Sequence, residues 1–298
     1  MNVAEKFVSI LKKNKINDVF LYPGGTIAPI INACEKFGVK IHNFKSEQGA
    51  GYAAIGAYKT TKKPQILMVT SGPGVTNAIT PLADAFYDSI PLILITGQIG
   101  TKDLSKRKNV RQRGFQEVPT LELVKKISKD TILIKNNLAF EKKIQNLLNF
   151  STSGRPGPVV IDFPMNVQRT AIRKGEKKLE KKQKSKNKIN IKILKKINNL
   201  ANKSKKPLLL LGNGANDKKN FDLINKLVKK YNFQVVTSLL GIGSYDTRKS
   251  NHHGYIGHTG HIAANFAAYT CDFLLVLGSR LDLRQTGTEV KQFCPEAH

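Results

Sequence analysis

The spacing of apolar and polar residues predicts alternating helices and strands over the first 172 residues of the chain. Alternation of this kind is typical of βαβ units, in which helices cover both faces of a parallel sheet. A polar, cationic loop is predicted at residues 101–117. The predicted elements are helices at 3–12 and 27–34 and strands at 18–22, 39–41, 66–69, 92–96 and 159–162.

The same pattern resumes after a lysine-rich stretch at residues 173–188. That stretch is charged and almost free of apolar residues, so it is predicted to be a solvated linker. The fold class is therefore α/β, with two doubly wound parallel-sheet domains at residues 1–172 and 189–298, the second of them Rossmann-like. Its predicted elements are helices at 189–201 and 221–230 and strands at 207–211, 234–237 and 271–277.

Candidate chemistry lies around Glu47, which opens a helix rich in small residues. The strand at 66–69 leads into the turn Ser71–Gly74, and a helix follows. A strand, a glycine-rich turn and a helix in this order place a ligand at the carboxyl edge of a parallel sheet. However, an acid in the first turn of a helix can simply complement the helix dipole. The turn also lacks the dinucleotide fingerprint and the P-loop signature, so the residues alone leave both interpretations open.

A series of ordered motifs resembles the thiamine diphosphate (ThDP) enzymes, and among them the large subunit of acetolactate synthase. The resemblance implies a pyrimidine-binding domain followed by a middle domain. The motifs are Y-P-G-G at 22–25, S-E-Q-G-A-G-Y-A-A at 46–54, V-T-S-G-P-G-V-T-N at 69–77, L-A-D-A at 82–85, D-S-I-P-L at 88–92, I-T-G-Q at 95–98, G-F-Q-E at 114–117, S-G-R-P-G-P-V at 153–159 and D-F-P at 162–164.

The resemblance assigns roles to individual residues. Glu47 and Gln116 are the expected catalytic residues, with Glu47 favouring the imino tautomer of the cofactor's aminopyrimidine ring, and Phe115 and Met165 are expected at the substrate. The expected ThDP-binding residues are Pro23, Gly24, Gly25, Glu47, Pro73, Asn77 and Gln116.

The resemblance also implies FAD in the middle domain. Two departures from the family pattern are G-H-T-G at 257–260, where G-M-H-G is usual, and Leu283, where a second acid is usual. The histidines at 252, 253, 258 and 261 fit no standard zinc pattern, so they are interpreted as loop residues and no metal site is predicted. The expected FAD-binding residues are Arg155, Gly212, Gly214, Gly257, Thr259, Arg280, Asp282 and Arg284.

The implied activity is that of a carboligase acting on small 2-oxo acids. Pyruvate would lose CO₂ and its two-carbon unit would join a second pyruvate, giving 2-acetolactate for branched-chain amino acid biosynthesis. The family usually carries Lys after the proline of D-F-P, whereas this chain has Met165, so acetolactate formation is expected to be less efficient. Alternatives are another acceptor such as a keto-sugar, simple decarboxylation, or a non-catalytic module that binds nucleotides or nucleic acid.

The resemblance further implies a homodimer or homotetramer, with a regulatory subunit as a potential partner. The chain has no G-D-G motif, so Mg²⁺ is expected to bind through a diphosphate-binding domain that these residues lack. The middle domain is expected to be truncated at His298, and this fragment is expected to be inactive by itself.

Composition changes this picture little. The net charge of +28 suggests nucleic acid, but lysine provides most of the cations and no aromatic residues are interleaved with them, so no nucleic-acid partner is expected. No apolar stretch approaches the about 20 residues that span a bilayer, and no signal-peptide block begins the chain, so a cytoplasmic protein without a membrane contact is expected. The three cysteines are far apart and are expected to be reduced thiols.

Overall fold

A computed structural model describes residues 1–104, 110–172 and 190–298. The chain forms two compact units, Met1–Lys182 and Gln183–His298, which are described separately below. Part of the predicted loop at 101–117 and all of the predicted linker at 173–188 lie outside the described residues. The parallel-sheet α/β fold predicted for both parts of the chain is confirmed.

The first unit contains a six-stranded parallel sheet in the order β2-β1-β3-β4-β6-β5. Helices cover both faces of this sheet, and each face has its own apolar core. Its elements are α1 (Val3–Lys13), β1 (Asp18–Leu21), α2 (Ala28–Lys36), β2 (Lys40–Asn43), α3 (Glu47–Thr61), β3 (Gln65–Val69), α4 (Pro73–Tyr87), β4 (Leu92–Gln98), α5 (Thr120–Val124), β5 (Asp130–Leu133), α6 (Phe140–Thr152), β6 (Val159–Pro164) and α7 (Met165–Arg169).

The central strands of this sheet are fully buried and follow the predicted apolar runs. β3, β4 and β6 are buried at every position, which explains why each carries an apolar run instead of alternating apolar and polar residues. By contrast, β5 lies at one edge of the sheet, begins with an exposed Asp130 and is only half-buried thereafter. An edge strand of this composition gives no clear apolar signal, and the sequence analysis did not predict it.

Two helices that frame the carboxyl edge of the sheet approach each other closely. α3 and α4 pack side by side, and a Cβ added to Gly51 on α3 would lie 2.5 Å from Cγ of Pro81 on α4. The absence of a side chain at Gly51 therefore leaves room for the ring of Pro81 between the two helices. A hydrogen bond between Asn77 and Glu47 joins the helices near their N-termini.

The second unit contains a four-stranded parallel sheet in the order β10-β7-β8-β9, with an apolar core on each face. Its elements are α8 (Ile191–Lys203), β7 (Pro207–Leu211), α9 (Phe221–Tyr231), β8 (Gln234–Thr237), β9 (His252–Tyr255), α10 (Ile262–Thr270), β10 (Phe273–Leu277) and α11 (Leu283–Thr286).

The edge strand β9 corrects the interpretation of two of the four histidines, His252 and His253, as loop residues. His252 and His253 lie on this strand, which pairs with β8 through an irregular register between Val235 and Thr237. All four of its residues are half-buried, and its polar sequence carries no alternation from which a strand could be predicted.

None of the described helices is both long enough and apolar enough to cross a membrane.

Candidate active site

Glu47 begins α3 and is buried, with only 6% of its surface exposed. The side-chain oxygen of Ser46 caps the same helix by accepting a hydrogen bond from the backbone N–H of Gly49 at 3.1 Å. Asn77, in the first turn of α4, donates from Nδ2 to Oε2 of Glu47 at 3.0 Å. The positive ends of two helices and an amide donor therefore surround one buried carboxylate.

Glycines leave the other oxygen of Glu47 facing main chain and short side chains. A Cβ added to Gly74 would lie 3.6 Å from Oε1 of Glu47 and 3.0 Å from Cγ2 of Thr70. A Cβ added to Gly24, in the turn after β1, would overlap the side chain of Thr70. The turns after β1 and β3 therefore pack closely beside the carboxylate, with the side chain of Thr70 between their glycines.

A threonine pair ties these turns together. Oγ1 of Thr26 and Oγ1 of Thr70 are 2.8 Å apart, and the N–H of Ser71 donates to Oγ1 of Thr26 at 3.0 Å. A Cβ added to Gly97 on β4 would overlap Thr26. Sequence analysis missed Thr26 and Thr70, and the available signal was a short hydroxyl residue next to each glycine turn.

Gln116 lies against the turn that leads into α4. Gly72 has φ +64°, and a Cβ added there would lie 2.8 Å from Cβ of Gln116 and 3.1 Å from its carbonyl oxygen. Gln116 itself has φ +60°, and its neighbour Phe115 is 85% exposed. The structure thus brings Gln116 to the same turn as Pro73, next to the residues around Glu47.

The remaining expected residues of this unit follow the same edge of the sheet. Pro23 and Gly25 are exposed in the turn after β1. Met165 is half-buried and begins α7 directly after β6, which is separated from β3 by β4. All of them lie beyond the carboxyl ends of parallel strands, the usual place of ligands in such sheets.

A second buried acid, Asp162, lies on β6 beneath this edge. Oγ1 of Thr96 donates to its Oδ1 at 2.8 Å, and Nε2 of Gln98 donates to its Oδ2 at 3.2 Å. Burial raises the pKa of Asp162 to about 6, although both hydrogen bonds act in the opposite direction. Asp162 joins β4 to β6 just before the strands end.

In the second unit, the expected FAD residues form two groups. Gly212 and Gly214 follow β7, and Gly278 follows β10; the N–H of Gly214 donates to the carbonyl of Gly278 at 2.9 Å. In the other group, a Cβ on Gly257 would overlap the carbonyl of Arg284. Glycine at these turns lets the backbones touch.

Three further expected residues belong with the group around Arg284. Asp282 caps α11 by accepting from the N–H of Arg284 at 3.1 Å, and Nε of Arg280 lies 3.5 Å from its Oδ2. Thr259 is exposed in the loop that also carries Gly257. The residues of this group follow the carboxyl ends of β9 and β10, which lie at opposite edges of the four-stranded sheet.

Arg155 lies in the first unit, although it was assigned to FAD. Its Nε donates to Oγ of Ser89 at 2.7 Å and its Nη2 to the carbonyl of Tyr87 at 3.2 Å. These contacts hold the end of α4 in place. Its role toward FAD stays a prediction.

The histidines of the second unit make separate contacts. His253 shares a hydrogen bond with Oε1 of Gln234 at 2.8 Å, and Nδ1 of His261 accepts from the N–H of Tyr255 at 3.2 Å. Burial, together with the neighbouring His253 and His261, lowers the pKa of His252. Among the described residues, no three His, Cys, Asp or Glu side chains are grouped so that they could hold a metal ion.

Parallel α/β units that gather a buried acid, hydroxyls and glycine turns at their strand ends define the class of doubly wound, cofactor-binding proteins. The family within this class follows from comparison with known proteins. Residues 1–123 match the thiamine pyrophosphate enzyme N-terminal TPP binding domain, and residues 194–298 match the central domain of the same enzymes. The chain belongs to the thiamine pyrophosphate enzymes, of which it carries the N-terminal and central domains.

Individual relatives agree with this assignment. The chain is 33% identical to the acetolactate synthase large subunit of Lactococcus lactis, over 97% of this chain and 50% of that protein. It is also 33% identical to the acetolactate synthase isozyme 2 large subunit of Escherichia coli, over 100% of this chain and 53% of that protein. The mitochondrial acetolactate synthase catalytic subunit of Saccharomyces cerevisiae is 32% identical, over 98% and 43%. The chain thus spans about half the length of these curated relatives.

Proposed function

We propose that the protein containing this chain is a ThDP-dependent carboligase of the acetolactate synthase type. Pyruvate would be both the donor and the acceptor, and 2-acetolactate would enter branched-chain amino acid biosynthesis. The acetolactate synthases among the relatives support this choice. The observation that carries it is the buried carboxylate of Glu47, held by Asn77 at the first turns of two helices.

The residues around Glu47 fit the pyrimidine end of ThDP. One oxygen of Glu47 is bound by Asn77, and the other faces Gly74, where a side chain would fill the space. A flat ring can approach such a carboxylate from the side lined by glycine. The proposed ThDP-binding residues are Pro23, Gly24, Gly25, Glu47, Pro73, Asn77 and Gln116.

When bound, thiamine diphosphate supplies carbanion chemistry at C2 of its thiazolium ring. The chain's own task is proton traffic and placement. Glu47 would exchange a proton with the ring nitrogen of the aminopyrimidine, and Asn77 would keep its carboxylate in one orientation. Gln116 and Phe115 would face the substrate from the opposite side of the turn at Gly72, and Met165 would border its entry.

The second unit is proposed to bind FAD at its strand ends. The backbone contact between Gly214 and Gly278 brings two glycine turns together at this edge, and glycine suits a close approach by a nucleotide. Arg280, Asp282 and Arg284 would lie at the other end of the cofactor, with Gly257 and Thr259. Flavin absorbance that copurifies with the protein, and that is lost when Gly214 is replaced by Val, would support this site.

The remaining parts of the proposal concern partners. Mg²⁺ would bind through a diphosphate-binding domain outside these residues, and the active form would be a homodimer or homotetramer, with a regulatory subunit as a further partner. We propose a cytoplasmic location, although some relatives are mitochondrial or chloroplastic proteins. Light scattering of the complete protein tests the assembly, because an active monomer would contradict it.

The decisive test replaces Glu47 by Gln in the complete protein. Loss of general acid–base assistance is worth about 10²–10⁴-fold, so exchange of the C2 proton of bound ThDP should slow by that factor while the cofactor still binds. Glu35→Gln, at an exposed position on α2, is the matched control and should leave the exchange rate unchanged. Wild-type exchange in Glu47→Gln would remove this residue from its proposed role.

A further inference from the structure

The segment that carries Phe115 and Gln116 is closed by Glu117. Oε2 of Glu117 accepts two hydrogen bonds from consecutive backbone groups, the N–H of Arg113 at 2.7 Å and the N–H of Gly114 at 3.2 Å. The carbonyl of Glu117 also accepts from Nε2 of Gln112 at 3.1 Å. Glu117 therefore binds the backbone at the two residues that precede Phe115, Arg113 and Gly114.

Glu117 also closes a tight turn through its own backbone. Its N–H donates to the carbonyl of Gly114 at 3.0 Å, which leaves Phe115 and Gln116 as the two central residues. The second of them has φ +60°. Residues other than glycine occupy this left-handed region only where their surroundings hold them there.

The same segment is fixed to the edge of the sheet on two sides. A Cβ added to Gly114 would overlap Ile99, the residue that follows β4. On the other side, Gln116 lies against Gly72. The carboxylate of Glu117 thus connects a strained turn to the region in which the proposed cofactor and substrate meet.

We propose that Glu117 is a positioning residue for the acceptor substrate, because it holds Phe115 and Gln116 in the conformation that faces the site. The proposal deepens the proposed carboligase function and rests on it. A carboxylate suits this position because hydrogen bonds to a charged acceptor are shorter and stronger than neutral ones. Glutamine at 117 keeps one carbonyl acceptor for the two N–H groups, whereas alanine keeps none.

The first part of the test measures the turn itself. Hydrogen exchange of the amides at 110–117 is compared in the complete protein for the wild type, Glu117→Ala and Glu117→Gln. Loss of bonds to a charged acceptor should speed exchange of the Arg113 and Gly114 amides by about ten- to hundred-fold in Glu117→Ala, with a smaller effect in Glu117→Gln. Glu122→Ala, at an exposed position on α5, is the matched control. Unchanged exchange in Glu117→Ala would overturn the proposal.

The second part measures function with the same proteins. KM for the acceptor 2-oxo acid should rise about ten-fold in Glu117→Ala and be partly restored in Glu117→Gln, while C2 proton exchange of bound ThDP stays at the wild-type rate. Faster amide exchange with an unaltered KM would show a merely structural role and overturn the proposal. A slowing of C2 proton exchange as large as the rise in KM would do the same. Acetolactate formation by the unmodified protein tests the proposed function separately.

Discussion

Replacing Asp162 by Asn removes a buried carboxylate that joins β4 to β6. Asp162 is 2% exposed and accepts hydrogen bonds from Thr96 and Gln98. Asparagine has nearly the same shape and can still accept from Thr96, but its amide meets the donor of Gln98. That conflict adds a constant cost to the variant. The informative quantity is therefore how the difference in stability between wild type and variant changes with pH.

The magnitude follows from the pKa of Asp162. Burial raises this pKa from the ordinary value of 3.8 to about 6, so the folded protein holds the proton more tightly than the unfolded chain. Stability from this group is fully present below pH 3.8 and is lost as the pH rises through about 6. The full loss corresponds to about 3 kcal/mol of unfolding free energy. Asp162→Asn cannot ionise and should not show it.

The assay is urea unfolding at several pH values, and the unfolding of this unit is monitored through hydrogen exchange of peptides from β6. The difference in unfolding free energy between wild type and Asp162→Asn should shift by about 2 kcal/mol, in favour of the variant, as the pH rises from about 4 to about 7. Thr96→Val removes a hydrogen bond that lowers the pKa of Asp162, so it should move the change to higher pH. Asp130→Asn, at an exposed position on β5, controls for the loss of one negative charge.

Parallel pH profiles for wild type and Asp162→Asn would refute this reasoning. They would show that the carboxyl group has the same proton affinity in the folded and unfolded protein. A ¹³C titration of the Asp162 side chain would decide the point directly, and a midpoint near 3.8 would have the same meaning.

Two further changes test the site. Gly72→Ala should lower kcat/KM about ten-fold or more, because φ is +64° and the new Cβ would lie 2.8 Å from Cβ of Gln116. Gly56→Ala is the control, because a Cβ there meets nothing within 4 Å. Equal kcat/KM in the two variants would contradict the contact between Gly72 and Gln116. Met165→Lys should raise the rate of acetolactate formation from pyruvate several-fold, because a cation at this position attracts a substrate carboxylate by about 1 kcal/mol. Met165→Leu should not raise it, and equal rates in the two variants would show that a cation is not needed there.

Most strands could be predicted from the sequence, and these include the edge strands β2 and β10, whereas the edge strands β5 and β9 could not. Apolar runs at 66–69, 92–95 and 208–211 mark β3, β4 and β7, and the structure places each of these strands in the interior of its sheet. β5 and β9 lie at sheet edges, where half-buried positions tolerate Asp, Thr and His. Their pairing depends on neighbours far away in the chain, which a local pattern does not contain.

The candidate site could likewise be predicted from the sequence only in part. Glu47 and Asn77 were identified through motifs, and the structure joins them by a hydrogen bond. Thr26, Thr70 and Glu117 received no role from the sequence. The two threonines bind each other across turns that only the folded sheet brings together, whereas Glu117 binds backbone groups of its own turn. Short hydroxyl and carboxylate side chains are common in loops, so their presence alone indicates nothing about which backbone groups they bind.

The bond between Asn77 and Glu47 also has an entropic consequence. A free glutamate side chain samples many rotamers, and fixing one costs up to about 2 kcal/mol. Because Asn77 and the burial of Glu47 restrict the carboxylate in the folded chain, that cost falls on folding, before any ligand arrives. A ligand that needs this carboxylate in one orientation then binds without ordering it, and its affinity is greater by the same amount.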